Sequence, residues 1–171
     1  MSEAPGLSIR GATEADVALV AALIRELAEY ERLLHEVTMT EDGLRTALFG
    51  SRPCAEVAIA EGGDGEPLGF ALFFHNFSTF LGLPGIYLED LFVRPAHRSR
   101  GVGRALLEHL AGLARERGCG RLEWSVLDWN QPAIGFYRRL GAVPQDEWTT
   151  YRLTGPALER LADGTEPQRE G

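Results

Sequence analysis

The stretch "HRSRGVGRALLEHL", residues 97–110, decides how this chain is read. It follows the apolar run "IYLEDLFV" (86–93) and passes into "GRALLEHLAGLARERG" (103–118), where Leu106, Leu107, Leu110 and Leu113 recur at helical spacing. A strand therefore gives way to a helix through a turn holding Gly101 and Gly103, with Arg98, Arg100 and Arg104 around it. The first amides of a helix have no carbonyl partner one turn earlier, and the summed peptide dipoles place about half a positive charge there. Glycines let such a backbone fold tightly and meet a bulky anion with no Cβ in the way, so a pyrophosphate is the fitting guest. The same Gly-x-Gly also fits a tight turn that binds nothing. It is not a Walker A loop, lacking Gly-Lys-Ser/Thr, nor a dinucleotide fingerprint, since Leu106 stands where a third glycine or alanine belongs.

Working outward, "LSIRGA" (7–12) reads as a short strand, and Thr13 with Asp16 as the opening of a helix "EADVALVAALIRELAEYERLL" (14–34). Thr40 opens a second helix ending at Gly50. "CAEVAIA" (54–60) and "LGFALFFHNF" (68–77), parted by the turn-rich "EGGDGEP", read as an antiparallel hairpin. The loop "STFLGLPG" leads to the central strand 86–93, where two-residue alternation places Glu89 and Asp90 on opposite faces. Beyond the helix 103–118 come a strand "RLEWSVL" (121–127), a helix "NQPAIGFYRRLGA" (130–142), a last strand "EWTTYRLTG" (147–155) and a short helix "PALERLA" (156–162). Phe136 and Leu140 face the core on this reading. The order predicts one α/β (α+β) domain over residues 1–162, with a polar, disordered tail at 163–171.

Composition narrows the function. In 171 residues, 44% hydrophobic content suffices for one packed core. The start, "MSEAPGLSIR", does not resemble a signal peptide, and "VALVAALI" is too short to span a bilayer, so a soluble, cytoplasmic protein without membrane association is expected. Cys54 and Cys119 lack CxxC spacing, and the four histidines are scattered, so neither disulfide nor metal is expected. A net charge of −8 argues against nucleic acid as the partner and suits a cationic small molecule.

One strand after the glycine turn, Asn130, Ala133 and Tyr137 fall on one helical face. Arg98-x-x-Gly101-x-Gly103 after one strand, then Asn130-x-x-Ala133-x-x-Phe136-Tyr137 after the next, resembles the GCN5-related N-acetyltransferase (GNAT) superfamily over nearly the whole chain. "LIRELAEYE", "IYLEDLFV" and "VLDWNQ" resemble its spermidine/spermine and thialysine (diamine) branch, and "FSTFLG" leans to the thialysine side.

The resemblance implies a mixed, mostly antiparallel sheet with two splayed parallel strands and helices on both faces. It implies acetyl-CoA as cosubstrate, its pantetheine arm along Leu91, Phe92 and Val93. The pyrophosphate would sit on Arg98, Ser99, Arg100, Gly101, Val102, Gly103 and Arg104, and the other side of the arm would be lined by Asn130, Gln131, Pro132 and Ala133. An alkylammonium of pKa about 10.4 must lose a proton before it attacks, and Glu89 is the candidate general base, acting through water. Tyr137 would assist the departing thiolate, and a strand amide, that of Phe92 or Val93, would meet the oxyanion. For the acceptor the branch points to Tyr30, Glu31, Glu89, Glu123, Trp124, Ser125 and acids near Asp146 and Glu147, with Phe80 and Trp148 as aromatic faces. Two departures stand out: Ser78 replaces an acid that spermidine/spermine enzymes carry before the central strand, and Ser99 replaces a glycine. The implied reaction is direct acetyl transfer to a small primary amine in a ternary complex, by a homodimer. A protein amino group, an antibiotic amine, or a non-catalytic acyl-CoA module remain the alternatives.

Overall fold

The computed structural model describes residues 6–165, which form two compact units dividing after Ser125. The first unit holds strands β1 (Ser8–Gly11), β2 (Glu56–Glu61), β3 (Pro67–Ser78), β4 (Leu83–Val93) and β5 (Leu122–Trp124), with helices α1 (Val17–Tyr30), α2 (Glu41–Phe49) and α3 (Val102–Glu116). The strands lie side by side in chain order; β1 to β4 are antiparallel and β5 joins β4 in parallel, as the mixed sheet expected from the sequence requires.

Alternation along the strands sorts the core into two layers. Val57 and Ile59 of β2, Phe70 of β3 and Phe92 of β4 pack with Val20, Leu23 and Leu27 of α1 and with Leu44 and Leu48 of α2. The intervening residues Ala58, Ala60, Ala71 and Phe73 are buried too, and α3 contacts β2, β3 and β4 with Val102, Leu106 and Leu110 buried. Each fully buried leucine or phenylalanine stabilises the fold by roughly 1.5–3 kcal/mol.

Local signals set the helix ends. The Thr13 amide donates to Asp16 Oδ2 at 2.7 Å, and Arg10 grips the same carboxylate at 2.7 and 2.9 Å, holding its pKa down to about 2. A 3-10 turn, Glu14–Asp16, comes between this cap and α1. The helix also stops at Tyr30, short of the predicted end at Leu34, because Arg32 takes φ 62°, which a right-handed helix cannot contain. Thr40 Oγ1 accepts from the Gly43 amide at 3.1 Å and caps α2. The far end of α3 is tied to the sheet by Arg117, which donates to both Glu56 oxygens at 2.7 and 2.9 Å.

The second unit holds helices α4 (Gln131–Arg139) and α5 (Gly155–Ala162). Pro132 sits in the first turn of α4, where its missing amide costs nothing, and Gly141 follows the end at φ 87°. The strand predicted over 147–155 is absent: residues 149–154 carry no ladder, since a β-prone sequence becomes a strand only beside a partner. Likewise β5 covers only 122–124 of the predicted 121–127. Phe136 and Leu140 are half-buried rather than core residues. Of the predicted disordered tail, residues 163–165 close α5, with the Gly164 and Thr165 amides bonded to Leu161 and Arg160 carbonyls, and 166–171 lie outside the described residues. Among the described residues, no helix is long and apolar enough to cross a membrane.

Candidate functional site

The turn between β4 and α3 is held from within by Val102, whose side chain is 1% exposed. Its backbone is unusual: Ser99 takes φ 61° and Gly101 φ 81°, left-handed values flanking Arg100. Such alternation turns successive amides toward a common point and forms an anion-binding concavity. The amides of Val102, Gly103 and Arg104 belong to the first turn of α3, where no earlier helical carbonyl can accept them. Gly103 is informative because packing does not demand it. A Cβ there would meet only Val93 Cγ2, at an ordinary 3.6 Å, yet glycine in a helix costs about 0.5–1 kcal/mol relative to alanine. A guest that must approach the backbone closely explains the choice, so these residues fit the diphosphate of acetyl-CoA.

The arginines of the turn differ in use. Arg100 is exposed, and Arg104 donates to Glu108 at 2.7 Å. Arg98 turns inward: its Nε donates to the Val93 carbonyl at 2.9 Å and its guanidinium carbon lies 4.3 Å from the Tyr30 ring centroid.

β4 carries the second feature. Its ladder with β5 joins Ile86, Leu88 and the residue between them to Leu122–Trp124 and ends there, while β4 runs on to Val93 paired with β3. Where β5 stops, β4 bulges. Leu72 pairs with Asp90 and Phe73 with Leu88, leaving Glu89 with no residue opposite it. The bulge slips the alternation by one. Leu88 lies opposite Phe73, whereas Asp90 and Phe92 lie opposite Leu72 and Phe70 on the face covered by α1. The expected placement of Glu89 and Asp90 on opposite faces rested on regular alternation, and alternation fails at that residue.

Asp90 consequently stands on the α1 side. Burial, and then the charges of Glu89 and Glu31, raise its carboxyl pKa to about 6. Burial also raises Glu31, which follows the last residue of α1. Glu31 and Glu89 thus act on Asp90 through their charge, an acidic group suited chemically to an ammonium ion, and Tyr30 directly precedes Glu31 in the chain. Tyr87, on the same face, hydrogen-bonds Ser125 Oγ at 2.7 Å and lies 5.3 Å from the Phe74 ring.

The other expected acceptor residues are placed less simply. Glu123 Oε1 forms an ion pair with Arg121 Nε at 2.7 Å and accepts from Asn76 Nδ2 at 3.1 Å, so its carboxylate is already partnered; Trp124 is half-buried at the end of β5. Ser78 is buried, and its Oγ accepts from the Leu81 amide at 3.2 Å, a turn-capping role. In the second unit Asn130 Oδ1 accepts from the Ala133 amide at 3.4 Å, Gln131 donates to the Asp128 carbonyl at 3.1 Å, and the Tyr137 and Phe136 rings lie 5.6 Å apart. Asp146, Glu147 and Trp148 are exposed, as is Phe80 in the first unit. Among the described residues, no group of three or more His, Cys, Asp or Glu side chains is arranged to hold a metal ion.

Sequence reasoning missed Asp90 as part of the acidic group and the inward course of Arg98. The carboxylate pair Glu89-Asp90 on an otherwise apolar strand was the available signal for the first; the second left none.

The model of the acetyltransferase (GNAT) family matches residues 19–142. The chain is 39% identical to the thialysine N-epsilon-acetyltransferase of Bos taurus over 90% of this chain and 96% of that one. It is 36% identical to the L-ornithine N5-acetyltransferase of Arabidopsis thaliana over 90% and 86%. Among solved structures, an integron cassette protein from the mobile metagenome of V. cholerae superposes with a TM-score of 0.76 at 30% identity, covering 92% of this chain and 98% of that one. With a family model spanning the glycine turn, the bulged strand and α4, and relatives matched almost end to end, this chain belongs to the acetyltransferase (GNAT) family and is an N-acetyltransferase.

Proposed function

We propose that the chain acetylates the side-chain primary amine of a small amino-acid-like acceptor of the thialysine or ornithine kind, by direct attack in a ternary complex with acetyl-CoA. The observation that carries this reading is the pairing, within one unit, of an anion-ready turn at Ser99–Arg104 with an acidic group at Glu31, Glu89 and Asp90. The Bos taurus and Arabidopsis thaliana relatives, each matched over 90% of this chain, act, by name, on thialysine and on L-ornithine. Ser78, capping a turn where a polyamine enzyme carries an acid, favours a short acceptor over a long polyamine.

When bound, acetyl-CoA supplies the acetyl group as a thioester. Arg98, Ser99, Arg100, Gly101, Val102, Gly103 and Arg104 would hold its diphosphate, Leu91, Phe92 and Val93 its arm on one side, and Asn130, Gln131, Pro132 and Ala133 its arm on the other. The acidic group draws in the ammonium form of the acceptor. At neutral pH only about one amine in a few thousand is unprotonated, so Glu89 takes the proton, through water, as the nitrogen attacks. Tyr137 gives a hydrogen bond or proton to the leaving sulfur; a phenol of pKa about 10 can serve a thiolate whose acid has a pKa of about 8.5. Tyr30, Glu31, Glu123, Trp124, Ser125 and Asp146 complete the acceptor side. The same reading takes residues 1–162 as one catalytic domain in a cytoplasmic homodimer, which sedimentation at micromolar concentration checks.

Thiol release in the presence of acetyl-CoA tests it directly. Thialysine and ornithine support release, spermine supports it poorly, and Tyr137→Phe slows it by about 100-fold. Acetyl-CoA binding with no release toward any amine of the panel rejects the proposal in favour of a non-catalytic module.

A further inference from the structure

Two arginines four residues apart reach two residues of α1 that are also four apart. Arg94 makes a bidentate pair with Glu26, at 3.0 and 2.8 Å, and donates to the Pro67 carbonyl at 3.0 Å. Arg98 lies with its guanidinium carbon 4.3 Å from the Tyr30 centroid and 5.7 Å from that of Phe92. Residues i and i+4 share a helix face, so both arginines fasten one face of α1 to the segment that carries β4 into the glycine turn. The two fastenings differ in kind. The pair with Glu26 is a charge-assisted fork, rigid in geometry; the stack on Tyr30 is a softer cation–π contact.

Arg98 is also the residue directly before Ser99, where the backbone enters its left-handed step. Its Nε is committed to the Val93 carbonyl, the last of β4, and its face to Tyr30. Its two terminal nitrogens make no hydrogen bond among the described residues. One planar group thereby lies with its face on the end of α1, where Tyr30 precedes Glu31, while its own backbone leads into the turn.

We infer that Arg98 is a positioning residue that couples the two halves of the site: an anion held at the Ser99–Arg104 turn fixes the guanidinium plane, and the plane fixes Tyr30 and the adjoining acidic end of α1. This inference rests on the proposed acetyl-CoA and amine sites and adds an energetic link between them. Filling the turn removes freedom from the guanidinium, so the acceptor meets a pre-ordered Tyr30, and by linkage the amine strengthens acetyl-CoA binding by the same factor. Gln at position 98 retains a donor for the Val93 carbonyl but has no cationic face. Phe at position 30 retains the ring, and Leu does not.

Amide hydrogen exchange with coenzyme A, in the intact chain, reads the link without turnover. Coenzyme A slows exchange at 99–104 and also, by at least about threefold, at 27–33. In Arg98→Gln and Tyr30→Leu the protection at 27–33 disappears while that at 99–104 persists at saturating ligand; Tyr30→Phe behaves as the parent. Titrations of acetyl-CoA with and without thialysine give the matching result, a coupling factor that falls toward one in Arg98→Gln and Tyr30→Leu. Protection confined to 99–104 in the parent, or Arg98→Gln weakening acetyl-CoA equally with and without amine, overturns the link and leaves the proposed function standing. No protection at either segment overturns both.

Discussion

The glycine turn and the acidic group at the end of α1 are built on opposite principles. The turn is made of consecutive residues, and its left-handed values at Ser99 and Gly101 are properties of the local chain. The acidic group draws on Glu31, just after the first helix, and on Glu89 and Asp90 from the fourth strand, far apart in sequence. A local device is tuned by Cβ atoms and φ angles. A device assembled at long range is tuned by burial and charge, as the raised Asp90 carboxyl shows.

Substitutions sharpen that contrast. The largest effect belongs to Glu89→Gln: the amide keeps the shape and loses the base, so kcat/KM falls about 100-fold while melting temperature barely moves. Steady-state kinetics beside a thermal melt check this, and an unchanged rate removes Glu89 from the mechanism.

Asp90→Asn comes next and acts on stability. The folded state keeps the Asp90 proton up to about pH 6, against 3.8 as the ordinary value. Between those values the folded chain binds more protons than the unfolded one, so stability falls as pH rises through the window and stays low above it. Asn removes that penalty: a gain of about 2 kcal/mol is expected at pH 7.5 and none at pH 3.5, measured by urea unfolding at both. Equal effects at the two pH values contradict the burial account.

Gly103→Ala separates the turn from the fold. Its methyl meets only Val93 at 3.6 Å, so the melting temperature holds or rises, while acetyl-CoA affinity drops about tenfold by calorimetry. The smallest effect is that of Ser99→Gly, which relieves the left-handed serine and adds about 0.5–1 kcal/mol of stability without loss of binding.

Element type was legible wherever the signal was local. Thr40 before α2, Asn130 and Pro132 opening α4, Gly141 closing it, and the leucine stripe of α3 all stand where residue chemistry puts them. The turn at 98–104 was legible for the same reason: glycine's freedom and the unpaired first amides of a helix belong to the peptide itself. Strand extent was less so, since the 147–155 run has β-prone side chains and no ladder, and β5 is cut to three residues.

What sequence by itself determined about this protein is therefore the order of its helices and of its first five strands, the glycine turn and the motif that marks its family. Only tertiary structure decided the bulge that leaves Glu89 unpaired, the face on which Asp90 lands, and the stacking of Arg98 on Tyr30. The physical reason is range. Propensity and capping act within a few residues, whereas a bulge is a mismatch between two strands, and a pKa of about 6 needs walls and charges supplied by another part of the chain.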